Sequence, residues 1–382
     1  MNLMRRAFIA AMTAGVLSGC GVFSGEKESG PQELVAFEQE KSFDVVWSAD
    51  VGASFGDEFH QFKPGITNES IVISDKQGRI SSFALESGAL NWSVDLDADI
   101  SAGVGAGFDL ALVVLDSAEL IALSVKDGSE LWRAQLKSEV TAQPQIGTSL
   151  VVVQQVNGQL AAFDRITGEP RWVYDAQEPA LTLRGTGTPL MLSDGVVAGF
   201  ANGKVVALAG ETGIPAWEVR ATDAMGRSEF ERLMDLDGGF AIANDLILTG
   251  GYQGRVVAIN PRTASTVWTQ SFSTYQELAV GFGNVYAVDA KGAVEAFDVS
   301  SSASVWRNSD FSNRGLSAPV VLGNEVVFGD ALGYLHALSQ IDGRPVARIS
   351  LGGSPVTADP VVVGDTTFVL SNSGKLSALT LK

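Results

Sequence analysis

The sequence predicts an all-β protein, an eight-bladed β-propeller built from four-stranded antiparallel blades. Three observations carry that reading. A fifteen-residue phrase recurs along the chain at a period of 38 to 51 residues, and it ends in tryptophan. Between copies, β-branched runs are broken by Gly-Asn, Gly-Asp or Ser-Gly turns. The last copy is cut short, and the strand it lacks stands alone near the start of the chain.

The phrase is plain in GRISSFALESGALNW (78–92), GQLAAFDRITGEPRW (158–172), GKVVALAGETGIPAW (203–217), GRVVAINPRTASTVW (254–268) and GAVEAFDVSSSASVW (292–306). Residues 118–132 repeat it with Ala118 for the leading glycine, and 333–347 end in Ala347 instead of tryptophan. Pro64, Pro144, Pro189, Pro319 and Pro360 each precede their glycine by fourteen residues. A unit of about forty residues with a turn roughly every ten is a four-stranded blade, and repeat architectures announce themselves in this way. An α-solenoid of equal period needs a 3.6-residue apolar pattern, which is missing. The final unit stops at Gly374-Lys-Leu-Ser-Ala-Leu, while Phe43–Trp47 reads as a rim strand with no glycine phrase before it. Pairing that strand with the last blade closes the ring and removes open sheet edges. The tryptophans are expected to pack between adjacent blades, and the leading glycines to occupy turns at positive φ.

Composition narrows the functions. Of 382 residues, 46% are hydrophobic and 18% charged, enough apolar material for a large core. The net charge of −18 becomes −20 if Arg5 and Arg6 are removed with a leader, and a chain so acidic repels nucleic-acid phosphates. One cysteine, Cys20, and two histidines, His60 and His336, leave no disulfide, no cysteine-based metal site and little for a catalytic triad. No G-x-S-x-G elbow occurs, and Asp95-Leu-Asp97-Ala-Asp99 lacks the glycine and glutamate of a calcium loop. No metal or cofactor is expected.

The first residues read as an address: Arg5 and Arg6, then an apolar run from Ala7 to Val16 too short to span a bilayer. Leu17-Ser18-Gly19-Cys20 resembles the bacterial lipobox. That resemblance implies cleavage before Cys20, lipid on its thiol and acylation of the new amine. Gly21, where inner-membrane retention uses aspartate, implies delivery to the outer membrane with the body in the periplasm. The expected organisation is a signal peptide over 1–19, a lipidated N-terminus and tether over 20–41, and the propeller over 42–382.

The phrase A-x-D-x-x-T-G-x-x-x-W, seen in Ala162 to Trp172, resembles the repeat of pyrroloquinoline-quinone dehydrogenases, which are eight-bladed too. Those enzymes hold quinone and Ca²⁺ at the propeller centre and carry long insertions, whereas the units here are near minimal size. A lipobox, a short tether and a minimal eight-bladed propeller together resemble the BamB family, the lipoprotein subunit of the machinery that assembles β-barrel proteins in bacterial outer membranes. That resemblance implies a non-catalytic scaffold binding the POTRA domains of BamA within the assembly complex, and it implies no enzyme activity. A quinoprotein dehydrogenase, or a general periplasmic peptide-binding propeller engaging unfolded outer-membrane proteins, are the alternatives.

The stretch from a tryptophan to the next blade, usually 10 to 13 residues, grows to 17 between Trp172 and Pro189 and to 23 between Trp217 and Phe240. Both follow the last strand of consecutive blades, so they are expected side by side on one face. Long loops on a rigid scaffold are where function concentrates. They contain Leu181-Thr-Leu183-Arg184-Gly185 and Arg232-Leu-Met-Asp235-Leu-Asp237, which match the BamB family's L-x-L-R-G and R-L-x-D-x-D segments. The family resemblance implies partner-binding roles for Leu181, Leu183, Arg184, Asp235 and Asp237. The leucines would be apolar anchors and the charges would orient the partner. Pairing of Arg184 with Asp235 or Asp237 inside the protein remains open beside that reading.

Overall fold

The computed structural model describes residues 30–52, 62–177, 187–222, 236, 238–252 and 254–382. Among these residues there is no helix, and thirty-two strands form eight four-stranded antiparallel sheets arranged as a propeller. Blades 1 to 7 span 65–95, 105–135, 145–175, 190–220, 240–271, 279–308 and 320–350. Blade 8 takes three strands from 361–381, and its rim strand is Phe43–Asp50. That strand pairs antiparallel with Lys375–Leu381, from Phe43 opposite Leu381 to Asp50 opposite Lys375. The ring is therefore closed as the interrupted repeat predicts.

In each blade the strands a to d run from the centre to the rim. Antiparallel order puts the a–b and c–d turns on one face, here the turn face. The b–c turns and the d-to-a connections between blades lie on the other, the connection face. Strands b are largely apolar because both sides of a blade meet a neighbour. Ser70–Ser74, Leu110–Val114 and Leu150–Gln154 are buried at every residue. Rim strands alternate, as Pro170–Asp175 does, with one side toward solvent. The core is accordingly divided into layers between blades. Val197 and Val205 of blade 4 pack on Ile247, Val257 and Ile259 of blade 5, each burial contributing about 1.5–3 kcal/mol.

The tryptophans do more than fill these layers. Six indole N–H groups reach a backbone carbonyl in the following blade, among them Trp92 to Val125 at 2.7 Å, Trp132 to Arg165 at 3.0 Å, and Trp306 to Gln340 at 2.9 Å. Trp47 from the N-terminal strand does the same to Leu85 of blade 1, at 3.1 Å. At five interfaces the ring rests on the glycine three residues past that carbonyl, Gly88, Gly128, Gly168, Gly213 or Gly343, while Ser302 holds that position for Trp268. A methyl group on Gly168 would stand 2.6 Å from the Trp132 ring, and one on Gly343 would stand 2.4 Å from Trp306. Within its own blade each tryptophan faces a small residue at a β-bulge, as Trp132 faces Ala122 and Trp172 faces Ala162. The small residue opposite the ring and the c–d turn of the next blade thus make a docking site at the interfaces that carry a tryptophan.

The leading glycines behave as expected at Gly78, Gly158, Gly203, Gly292, Gly333 and Gly374, all at positive φ, and Ala118 takes the same conformation at φ 59°. Gly254 closes the same kind of turn, its N–H donating to the Gly251 carbonyl at 3.2 Å as the Gly158 N–H does to Gln155 at 3.0 Å.

Candidate functional site

The two enlarged connections join Asp175 to Leu190 and Arg220 to Phe240, flanking blade 4 on the connection face. Between strand ends they hold 14 residues (176–189) and 19 residues (221–239). Their bounding strands place the two pairs of stems on neighbouring blades of one face, as their spacing in the sequence requires. The connection from blade 8 to blade 1, residues 51–64, is equally long at 14, whereas 96–104 and 136–144 have 9 each. The same face therefore carries a third enlarged connection. Leu181, Leu183, Arg184, Asp235 and Asp237 lie outside the described residues, as does Cys20.

What is described fixes the stems. Asp175 accepts the Gln177 backbone N–H at 3.0 Å and the Gln159 side-chain N–H at 3.1 Å, and these bonds hold its carboxyl below the usual range. The Asn202 amide donates to the Ala176 carbonyl at 2.9 Å, tying the first stem to the b–c turn of blade 4. The second stem begins with Ala221, whose N–H donates to the Gly203 carbonyl at 2.9 Å. Leu236, between Asp235 and Asp237 in sequence, is wholly buried in the layer between blades 4 and 5. It fits because position 199 is glycine: a methyl there would stand 2.9 Å from the Leu236 Cβ. The segment carrying the two aspartates is thus pinned at its middle residue. The sequence signal for this, one leucine between two acids, was readable as a buried anchor in a polar loop.

At the centre of the connection face, the loops entering the innermost strands converge. Lys63 forms an ion pair with Glu277 from across the ring. Asp359 accepts the Ala318 N–H at 2.9 Å. Burial, with the Glu277 charge adding and Lys63 opposing, raises the Asp359 pKa to about 6. Burial pulls Lys63 down, but Glu277 and Asp359 outweigh it and hold the ammonium above its ordinary value. The ammonium is thus paired with Glu277, and the second carboxylate, Asp359, is held by the Ala318 N–H. Among the described residues no three His, Cys, Asp or Glu side chains converge to hold a cation. These residues do not fit a calcium-held quinone at the centre.

His336 is buried on strand c of blade 7, its Nε2 2.9 Å from Asp330 Oδ2, with Phe311 and Phe328 against the ring. Burial lowers its pKa despite the Asp330 charge. Arg314 Nε donates to the same oxygen at 2.8 Å, so this cluster is a packed internal network. On the turn face a groove of about 450 Å³ lies between blades 3 and 4, lined by Leu150, Met191, Leu192, Asp194 and Glu211 among others.

Residues 76–308 match the family model of outer membrane protein assembly factor BamB. The chain is 38% identical over 378 residues to the outer membrane protein assembly factor BamB of Pseudomonas aeruginosa, covering 99% of both chains. Its fold superposes on the crystal structure of BamB from Moraxella catarrhalis with a TM-score of 0.81 at 25% identity, covering 88% of this chain and 99% of that one. A quinohemoprotein alcohol dehydrogenase from Comamonas testosteroni gives a TM-score of 0.71 at 14% identity, covering 88% of this chain and 76% of that one. The last likeness is one of fold alone.

Proposed function

The chain belongs to the family of outer membrane protein assembly factor BamB, and from that premise we propose that it is a lipid-anchored, non-catalytic scaffold of outer-membrane protein assembly. In this reading residues 1–19 are a signal peptide, Cys20 carries the lipid, and the propeller from residue 42 works on the periplasmic side of the outer membrane. Its partner is the POTRA region of BamA, bound through the connections on either side of blade 4.

The observation that carries this reading is the pair of long d-to-a connections, 176–189 and 221–239, which flank one blade and are two of the three enlarged connections on that face. Their stems are held by Asp175, Asn202 and the buried Leu236, so the loops are presented by a rigid frame. Leu181 and Leu183 supply apolar anchors, and Arg184, Asp235 and Asp237 supply charge complementarity. The Lys63–Glu277 ion pair supports a non-catalytic role, because it occupies the site where a propeller enzyme would hold its cofactor.

The test is charge reversal, Arg184→Glu, in a pull-down with the BamA POTRA domains. Binding is expected to fall at least tenfold, equivalent to about 1.4 kcal/mol, with the melting temperature unchanged. Undiminished binding refutes the patch. A lowered melting temperature instead assigns Arg184 to an internal pair with Asp235 or Asp237.

A further inference from the structure

Residues 30–41, which the sequence presents as tether, lie against the outside of blade 7. Their hydrogen bonds trace a path from one face of the propeller to the other. Ser42 exchanges backbone hydrogen bonds with Lys382 at the turn-face end of blade 8. Glu40 and Lys41 then donate their N–H groups to the Val346 carbonyl, at 3.0 and 3.1 Å. Glu40 receives both Arg344 Nε and Nη2, at 3.0 and 2.9 Å, beside the c–d turn of blade 7. Farther up the rim strand, Arg348 donates to the Val35 carbonyl at 3.1 Å and lies over the Phe37 ring at 4.9 Å. Leu34 packs into the layer between blades 6 and 7, against Phe311 and its neighbours. Gln32 finishes the path: its N–H donates to the Ser312 carbonyl, and its own carbonyl accepts Arg314 Nη1, each at 2.9 Å.

Ser312 and Arg314 belong to the connection from blade 6 to blade 7. Arg314 is held from below by the buried carboxylate of Asp330 in a b–c turn. The strap therefore starts at the turn face and ends at the connection face. A rim strand of six residues is about 20 Å long, so this crossing spans the thickness of the ring. The consequence is one of reach. A free chain from Cys20 to Ser42 has 22 residues and could extend about 75 Å, enough to leave either face toward a membrane. With 30–41 docked, only the ten residues 20–29 remain, at most about 35 Å, and they start from the connection face.

We propose that residues 30–41 are an orienting strap, seated on Arg344, Arg348 and Arg314, which turns the connection face of the propeller toward the lipid surface. The strap brings the face carrying the three long connections to the membrane side and sets the exit point at the groove between blades 6 and 7, two blades from the 221–239 connection. This rests on the lipid-anchor reading of Cys20, and the experiment separates the two.

The full lipidated chain is reconstituted in vesicles of phosphatidylethanolamine and phosphatidylglycerol with acceptor-labelled headgroups. A donor dye is placed on Lys291→Cys, in the b–c turn of blade 6, or on Ser300→Cys, in its c–d turn; both positions are exposed and they share one blade. Transfer from position 291 is expected to exceed that from 300 several-fold. The difference is expected to collapse in Arg344→Glu/Arg348→Glu and, independently, in Leu34→Ser/Phe37→Ser, whose changes lie outside the propeller sheets. A chain that fails to float with the vesicles refutes the anchor reading, and the orientation with it. A chain that floats with equal transfer from both positions, or whose difference survives both release variants, refutes the strap and leaves the anchor standing.

Discussion

The docking of tryptophan on glycine can be tested at Gly168. This residue sits at φ 73°, and a methyl group there would approach Trp132 Cε3 to 2.6 Å and Cδ2 to 2.7 Å. Gly168→Ala meets two costs. The left-handed backbone with a Cβ costs about 1–2 kcal/mol, and forcing a methyl onto a packed ring costs about 1–3 kcal/mol. The stiffer unfolded chain returns about 0.4–1 kcal/mol, leaving a net loss of about 2–4 kcal/mol. Gly283 is the control, since it has φ 77° and open space where the methyl would go. Gly283→Ala carries only the backbone cost and is expected to lose about 0.5–1 kcal/mol after the same return. Urea unfolding of both variants, followed by tryptophan fluorescence, measures the difference. Blade 5 makes the comparison informative, because Ala264 takes this position at φ 50° in the layer that holds Trp217. If Trp132 can set back in the same way, the two variants lose equal stability, and the ring-on-glycine dock as an energetic unit is refuted.

Leu236→Ala should leave a cavity between blades 4 and 5 and cost about 2–5 kcal/mol, read as a lower urea midpoint; a change below 0.5 kcal/mol would show that this leucine does not pin its connection. Asp359 gives a pH signature of definite sign. Its folded pKa of about 6 lies above the unfolded carboxyl value, so the folded state binds the extra proton and stability falls as pH rises from 4 to 6. The upper bound is about 3 kcal/mol. Asp359→Asn keeps the acceptor for the Ala318 N–H and removes the titration. The difference in stability between this variant and the parent should therefore grow in the variant's favour across that window. A flat difference from pH 4 to 7 contradicts the burial argument.

The sequence exposed what repeats and hid what depends on pairing. Tryptophans and glycines were legible because seven of the eight interfaces reuse the same ring opposite a small residue, and five of those seat it on a glycine. Ala347 was not interpretable from the phrase alone. A tryptophan there would need a c–d turn in blade 8, but that blade's fourth strand is Phe43–Asp50, so it has no such hairpin to receive an indole. The long connection 51–64 was harder to see because the strand before it, Phe43–Asp50, completes a blade whose glycine phrase lies at the other end of the chain. Residues 30–41 looked like tether because their partners, Arg344 and Arg348, stand more than 300 positions away. The partner-binding segments were found by resemblance to a family. Their physical support is in the stems and in Leu236.

The place of the long connections follows from the same docks. Every tryptophan bond lands at the end of a strand c, beside a c–d turn, so the turn face is where one blade fixes the next. Lengthening a c–d turn would move the glycine and the carbonyl that receive the indole, and the cost would fall on the interface between blades. A d-to-a connection carries neither group. It can grow from 9 residues to 19 without disturbing any dock, provided its stems are tied, as Asn202 and Leu236 tie those flanking blade 4. Insertions accumulate where the repeat makes no demand. A propeller held together through its turn face is thus left with its connection face to present to a partner.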